Sequence, residues 1–128
     1  MFGWLFNRSD PRALLKRDLP ALRDAFFRAA SDSGKPRGLR WKALEWGDSL
    51  EVVREKDIGR LAALAGVTIS FEAIEGGDME GVEAVGNLRV ASALFFFHAG
   101  AWHTTGKALF NLEPADVLAR FASQYERV

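Results

Sequence analysis

At 128 residues the chain is short of the roughly 150 that a typical domain uses, which predicts one compact unit spanning residues 1–128. Its 48% hydrophobic and 27% charged content is ordinary for a globular protein and excludes disordered, fibrous and low-complexity classes. The lack of cysteine excludes disulfide frameworks, thiolate zinc sites and cysteine nucleophiles, and a sequence pI near 6.7 argues against a dedicated nucleic-acid binder.

The N-terminal apolar stretch Met1-Phe2-Gly3-Trp4-Leu5-Phe6 is too short for a membrane span or the core of a signal peptide. This predicts a soluble, cytoplasmic protein. The basic residues that follow give the segment the outline of an interfacial anchor, but its length favours docking onto its own fold or a partner.

Ser9 or Asp10 can accept from free helix N–H groups, and Pro11 suits the first helical turn. Leu15, Leu19, Leu22, Phe26 and Ala29 or Ala30 recur at helical spacing, while Arg12, Lys16, Arg23 and Arg28 fall mainly off that stripe, toward solvent. Pro20 lacks a donor and crowds the preceding turn, so the N-terminal helix is expected to kink near it, with Asp18 as a fresh cap and a main segment from Leu19 to Ala30.

Past Gly34 the period changes. Leu39 to Trp46 is aromatic-rich, Gly47-Asp48-Ser49 reads as a turn, and Leu50 to Lys56 alternates weakly. Residues 50–65 fit two patterns: a hairpin turning at Asp57-Ile58-Gly59, or a helix capped by Ser49 and stopped by Gly66. Gly59 tips the balance to the hairpin, since glycine weakens a helix interior by roughly 1 kcal/mol relative to alanine. Val67, Ile69, Phe71 and Ala73 alternate with polar residues as in a strand with one covered face. Gly76-Gly77-Asp78 turns the chain, a strand is expected from about Val82 to His98, and Ala99-Gly100 turns into another from Ala101 to Phe110. Pro114 opens a final helix with Val117, Phe121 and Tyr125 on one face. The fold class that results is α+β: an antiparallel meander of about five strands between an N-terminal and a C-terminal helix.

A two-residue Ala99-Gly100 loop fixes a register in which His98 opposes Ala101, Phe97 opposes Trp102 and Phe96 opposes His103. Phe95, Phe97 and Trp102 then share one face, and Leu94, Phe96, His98, His103, Thr105 and Leu109 the other. Both faces are apolar near the turn, and two helices are expected to cover only one, leaving the other for Met1–Phe6, a ligand or a second subunit.

His98 and His103, the chain's two histidines, fall diagonally on that second face. They suit a general acid/base pair given a nearby acid such as Glu72 or Glu83, or part of a metal site. Two amphipathic rim residues are the plainer account, so neither metal nor cofactor is expected. Glu72, Glu75, Asp78, Glu80 and Glu83 lack the spacing of a calcium loop and read as a solvated acidic turn. Lys35 to Lys42 is basic around Trp41 and could hold a phosphate, though a basic connection between elements explains it as well.

Charge is split along the chain. Residues 1–42 carry ten Lys/Arg against four Asp, a net of +6, and the remainder seven against thirteen, a net of −6. This suits neutralisation within one fold or across a dimer. The sequence therefore points to a non-enzymatic interaction or ligand-binding module that pairs as a homodimer through Leu94, Phe96 and Leu109. A small apolar ligand near His98, His103, Thr105 and Trp102 is compatible with it. The alternatives are a small enzyme or pocket-type binding protein using His98 and His103, and a peripheral adaptor using the apolar N-terminus.

Overall fold

A computed structural model describes residues 10–128; the Met1–Phe6 segment lies outside the described residues. Helix α1 (Pro11–Asp32) is followed by strands β1 (Leu39–Glu55) and β2 (Leu61–Ala73) and a 3₁₀ turn over Glu83–Gly86. Strands β3 (Arg89–His98), β4 (Ala101–His103) and β5 (Ala108–Phe110), helix α2 (Pro114–Arg120) and strand β6 (Tyr125–Arg127) complete it. The class is α+β, with an antiparallel six-stranded sheet ordered β4-β3-β2-β1-β6 and β5 also pairing with β3.

Asp10 caps α1, accepting from the Arg12 N–H at 3.2 Å, and Pro11 opens the first turn as expected. The helix runs unbroken through Pro20, which corrects the expected start of a new segment there. Asp18 does not cap a second helix; its carboxylate pairs instead with Arg17 at 2.8 Å. Packing of Leu15, Leu22, Phe26 and Ala30 on both sides of the proline holds the one hydrogen bond's gap inside a single element.

Residues 50–65 form the hairpin, with Val53 opposite Ala62 and Leu50 opposite Ala65. Gly47-Asp48-Ser49 is not a turn, however. It is an irregularity inside β1, where Trp46 faces Val67 and Leu50 faces Ala65, so two extra residues bulge from β1. A second bulge at Lys42 (Trp41 faces Phe71, Ala43 faces Ser70) changes the parity of the strand. Trp41 and Leu44, three apart, thereby reach the same face of the sheet.

The strand expected from Val82 begins only at Arg89, because Glu83–Gly86 winds into a 3₁₀ turn whose Ala84 carbonyl accepts from Arg89 at 2.9 Å. The Ala99-Gly100 loop has both residues at positive φ and delivers the expected pairs Phe96–His103, Phe97–Trp102 and His98–Ala101. The return strand then breaks at residues 104–107 and resumes two residues out of step, with Ala91 opposite Phe110. Two extra residues preserve the alternation of faces. Thr104 Oγ1 donates to the Leu94 carbonyl at 3.0 Å and the Leu94 N–H donates to the Lys107 carbonyl at 3.0 Å, so the interruption strands neither group. Gly106 (φ +81°) is fixed by contact: a Cβ there would lie 2.4 Å from the Ala30 backbone nitrogen.

The helices cover opposite faces. Under α1 lies an aromatic core in which Phe26 meets Trp41, Trp46 and Phe95 at 5.6–6.1 Å between ring centroids. Under α2 lies a smaller cluster of Val53, Ala62, Leu64 and Val117. Helix α2 ends at Arg120, earlier than the expected Val117–Phe121–Tyr125 stripe requires, and Tyr125 joins β6 instead. Ser92, buried within the sheet, donates to the Leu112 carbonyl at 2.7 Å and ties down the segment leading into α2.

The acidic turn and the basic connection lie beside each other: Arg40 pairs with Glu72 at 3.2 Å and Arg37 with Asp78 at 3.7 Å. Part of the chain's charge asymmetry is thus cancelled within the fold, by exposed pairs that add little stability each.

Candidate functional site

His98 and His103 lie at the β3–β4 turn, both exposed, with ring centroids 6.2 Å apart. The His103 Nε2 is 3.1 Å from the His98 carbonyl, so one ring nitrogen is already engaged when it carries the proton. The same ring stacks on Phe96 at 5.6 Å and 27°. Phe96 carries the Arg60 guanidinium 4.4 Å from its centroid, and Arg60 is held in turn by Glu55. Neither acid named as a partner for the histidines is close in the register. Glu72 faces Arg40, ten residues along β2 from the Ala62 that opposes Phe96, about 33 Å of strand at 3.3 Å per residue. Glu83 sits in the 3₁₀ turn before β3, whereas the histidines follow its far end. Among the described residues no group of three His, Asp or Glu side chains is arranged to hold a metal ion.

The remaining expected ligand and interface residues divide between other places. Trp102 points to the α1 face, where it is buried and donates from Nε1 to the Pro11 carbonyl at 2.8 Å. Leu94 and Leu109 are half-buried against the Val53–Leu64–Val117 cluster, in part beneath the chain's own C-terminal helix. Thr105 lies in the interrupted strand and lines a cleft of about 360 Å³ at the C-terminal end of α1.

That cleft is built from three pieces of chain. The loop after α1 contributes Ser33 and Lys35, β1 contributes Trp41, and the β4–β5 segment contributes Thr105, Lys107 and Phe110. Each wall is fixed. Ser33 Oγ donates to the Ala30 carbonyl at 2.6 Å, Trp41 Nε1 donates to the Lys35 carbonyl at 2.7 Å, and Gly106 rests on the helix backbone. Trp41, Phe71 and Phe110 pack with ring centroids 5.0–6.3 Å apart behind it. Among the described residues, Lys35 and Lys107 are the only charged ones in its lining, which includes no carboxylate and no histidine. Its chemical character is an apolar wall with two amines.

A second cleft, of about 540 Å³, runs along one flank of α1. It is lined by Arg23, Asp24, Phe27 and Arg28 of the helix and by Lys42, Ala43, Leu44 and Trp46 of β1. Arg23 does not behave as the helical pattern led one to expect. Its side chain folds inward over Trp46, with the guanidinium carbon 5.2 Å from the ring, and its Nε is buried without a hydrogen-bond partner. The sequence offered one signal for either cleft, the basic run around Trp41. Nothing in its spacing marked Lys107 or the inward turn of Arg23.

Compared with family models, curated proteins and solved structures, the chain matches none. No helix among the described residues is long and apolar enough to cross a membrane.

Proposed function

We propose that this protein is a non-enzymatic binding module that takes a small, mainly apolar ligand with one anionic end into the cleft beside Trp41 and Phe110. One observation carries the reading: an aromatic wall and two lysines converge where the loop after α1 meets the interrupted β4–β5 strand. Apolar area supplies the affinity for such a ligand, and a few placed polar groups set its orientation. Here Lys35 and Lys107 provide attraction for a carboxylate or sulfonate, and the Thr105 hydroxyl provides a hydrogen bond.

Decanoate is a suitable probe. Titrating it should shift the Trp41 indole N–H resonance saturably, and Thr105→Phe, which fills the cleft from an exposed position, should abolish the effect. A decanoate response left intact by both Thr105→Phe and Lys107→Glu in folded protein would overturn the proposal.

A homodimer through the outer face is a second reading, supported by the half-exposure of Leu94, Phe96 and Leu109 on the same side of the sheet as α2. Two-fold pairing needs only one self-complementary patch. Light scattering at micromolar concentration should then give a dimer mass, and Phe96→Asp a monomer. A monomeric parent protein removes this reading and leaves the cleft untouched.

A further inference from the structure

We infer that the second cleft, between α1 and the first half of β1, is a separate receptor site for a small planar organic carboxylate. The inference starts from Arg23. Its Nε is out of contact with water and has no acceptor, and none of the ion pairs among the described residues includes Arg23, Arg28 or Lys42. With its Nε–H closed off from solvent, the half-buried Arg23 meets the cleft with the terminal amines of its guanidinium, and an anion there supplies the acceptor that no ion pair provides.

The surroundings narrow the class of anion. Three cations line the cleft, Arg23 and Arg28 from the helix and Lys42 from the bulge in β1, against one acid, Asp24. The excess of positive charge selects an anion. The walls then select its body. Trp46 is wedged by Phe26 at 5.6 Å and Phe95 at 6.3 Å, so it presents a fixed ring surface on which the Arg23 guanidinium lies. Phe27 adds a second ring. A flat carboxylate uses all of these features: its oxygens match the guanidinium fork, and its body stacks beside a plane already formed by arginine on tryptophan. Inorganic phosphate uses the charge but not the rings.

The site is independent of the Trp41–Phe110 cleft, since the two share no lining residue. They can fail separately.

Benzoate, cyclohexanecarboxylate and inorganic phosphate test the proposal, read by NMR at the Arg23 Nε–H and Trp46 indole N–H resonances. Benzoate should shift both saturably and bind at least about tenfold more tightly than the other two. Arg23→Met, which keeps the aliphatic stem over Trp46, should weaken benzoate by about tenfold or more, and Lys42→Gln by a smaller factor. If Arg23→Met disturbs the fold, Lys42→Gln carries the test from an exposed side chain. Absence of a saturable benzoate shift overturns the site, as does benzoate affinity unchanged in Lys42→Gln and in folded Arg23→Met. Equal binding of phosphate or cyclohexanecarboxylate overturns its preference for a planar body.

Discussion

The side of the sheet beneath α1 is closed by a helix of 22 residues set on interlocked aromatic rings, whereas the side beneath α2 is closed by seven residues set on Val53, Ala62 and Leu64. The long helix is a framework in its own right: its stripe spans the sheet, one cleft opens along its flank and the other at its C-terminal end. The short one relies on its connections. A hydrogen bond from Ser92, a reciprocal cap between Glu113 and Asp116, and the three-residue pairing of β6 with β1 keep it in place. The difference teaches that one sheet can be covered twice by a small chain if the second cover is tethered rather than broad.

Substitutions on the two sides should separate these modes of closure. Phe26→Ala removes the ring on which Trp41, Trp46 and Phe95 converge, and should cost about 3–5 kcal/mol by chemical denaturation. Gly106→Ala should cost about 2–4 kcal/mol, combining a strained positive φ with a clash against the Ala29–Ala30 backbone. Its signature is faster amide exchange at the end of α1 and at residues 104–107. A variant as stable as the parent would show that the end of α1 yields at this contact without cost.

On the other side, Ser92→Ala leaves the Leu112 carbonyl without its donor and should cost about 1–3 kcal/mol. Exchange should quicken over 111–121 while α1 stays protected. Equal loosening of both helices would mean that the two covers open as one unit.

The smallest effect is electrostatic. Burial, followed by the Glu55 and Asp57 carboxylates, raises the Tyr125 hydroxyl pKa above its usual value. Since the folded value lies above the unfolded one of about 10, the associated stability is present at neutral pH and lost as pH rises beyond that point. Tyr125→Phe should flatten this alkaline decline, measured as thermal midpoint against pH.

The legible parts of the fold were those set by local period and by turn chemistry. The stripe of Leu15, Leu22, Phe26 and Ala30 and the cap at Asp10 could be read from spacing. The Ala99-Gly100 loop fixed the pairing of Phe96 with His103, which follows once two residues separate the strands. What escaped were insertions in paired strands. Gly47-Asp48-Ser49 has turn composition yet stays within β1, because β2 continues opposite both flanks and absorbs the excess as a bulge. The break at 104–107 was hidden because two extra residues leave every face assignment unchanged. Pro20 misled for the opposite reason: a local penalty was outweighed by packing along the whole helix.

The candidate sites were less legible than the fold. The histidine pair was foreseeable from the hairpin register, but the clefts depend on which residues of distant segments meet. Thr105 was singled out for one face and lies in a cleft with Ser33 and Trp41, brought there by the β4–β5 interruption. The spacing that places Arg23 off the helical stripe cannot show that its side chain bends back over Trp46.

The two bulges of β1 also bear on how this protein stays apart from its own kind. Among the described residues β6 pairs only with Val53–Glu55, so most of the outer margin of β1 has no ladder partner. An unpaired margin of that length is a template for strand addition and for growth into fibrils. Interruptions at Lys42 and at 47–49 divide it into short stretches, each out of step with the next, and the first places a charge where an incoming strand would have to settle. A foreign strand can match only a few consecutive donors and acceptors before it meets a mismatch. The irregularity that brings Trp41 and Leu44 onto one face thus also keeps the sheet finite.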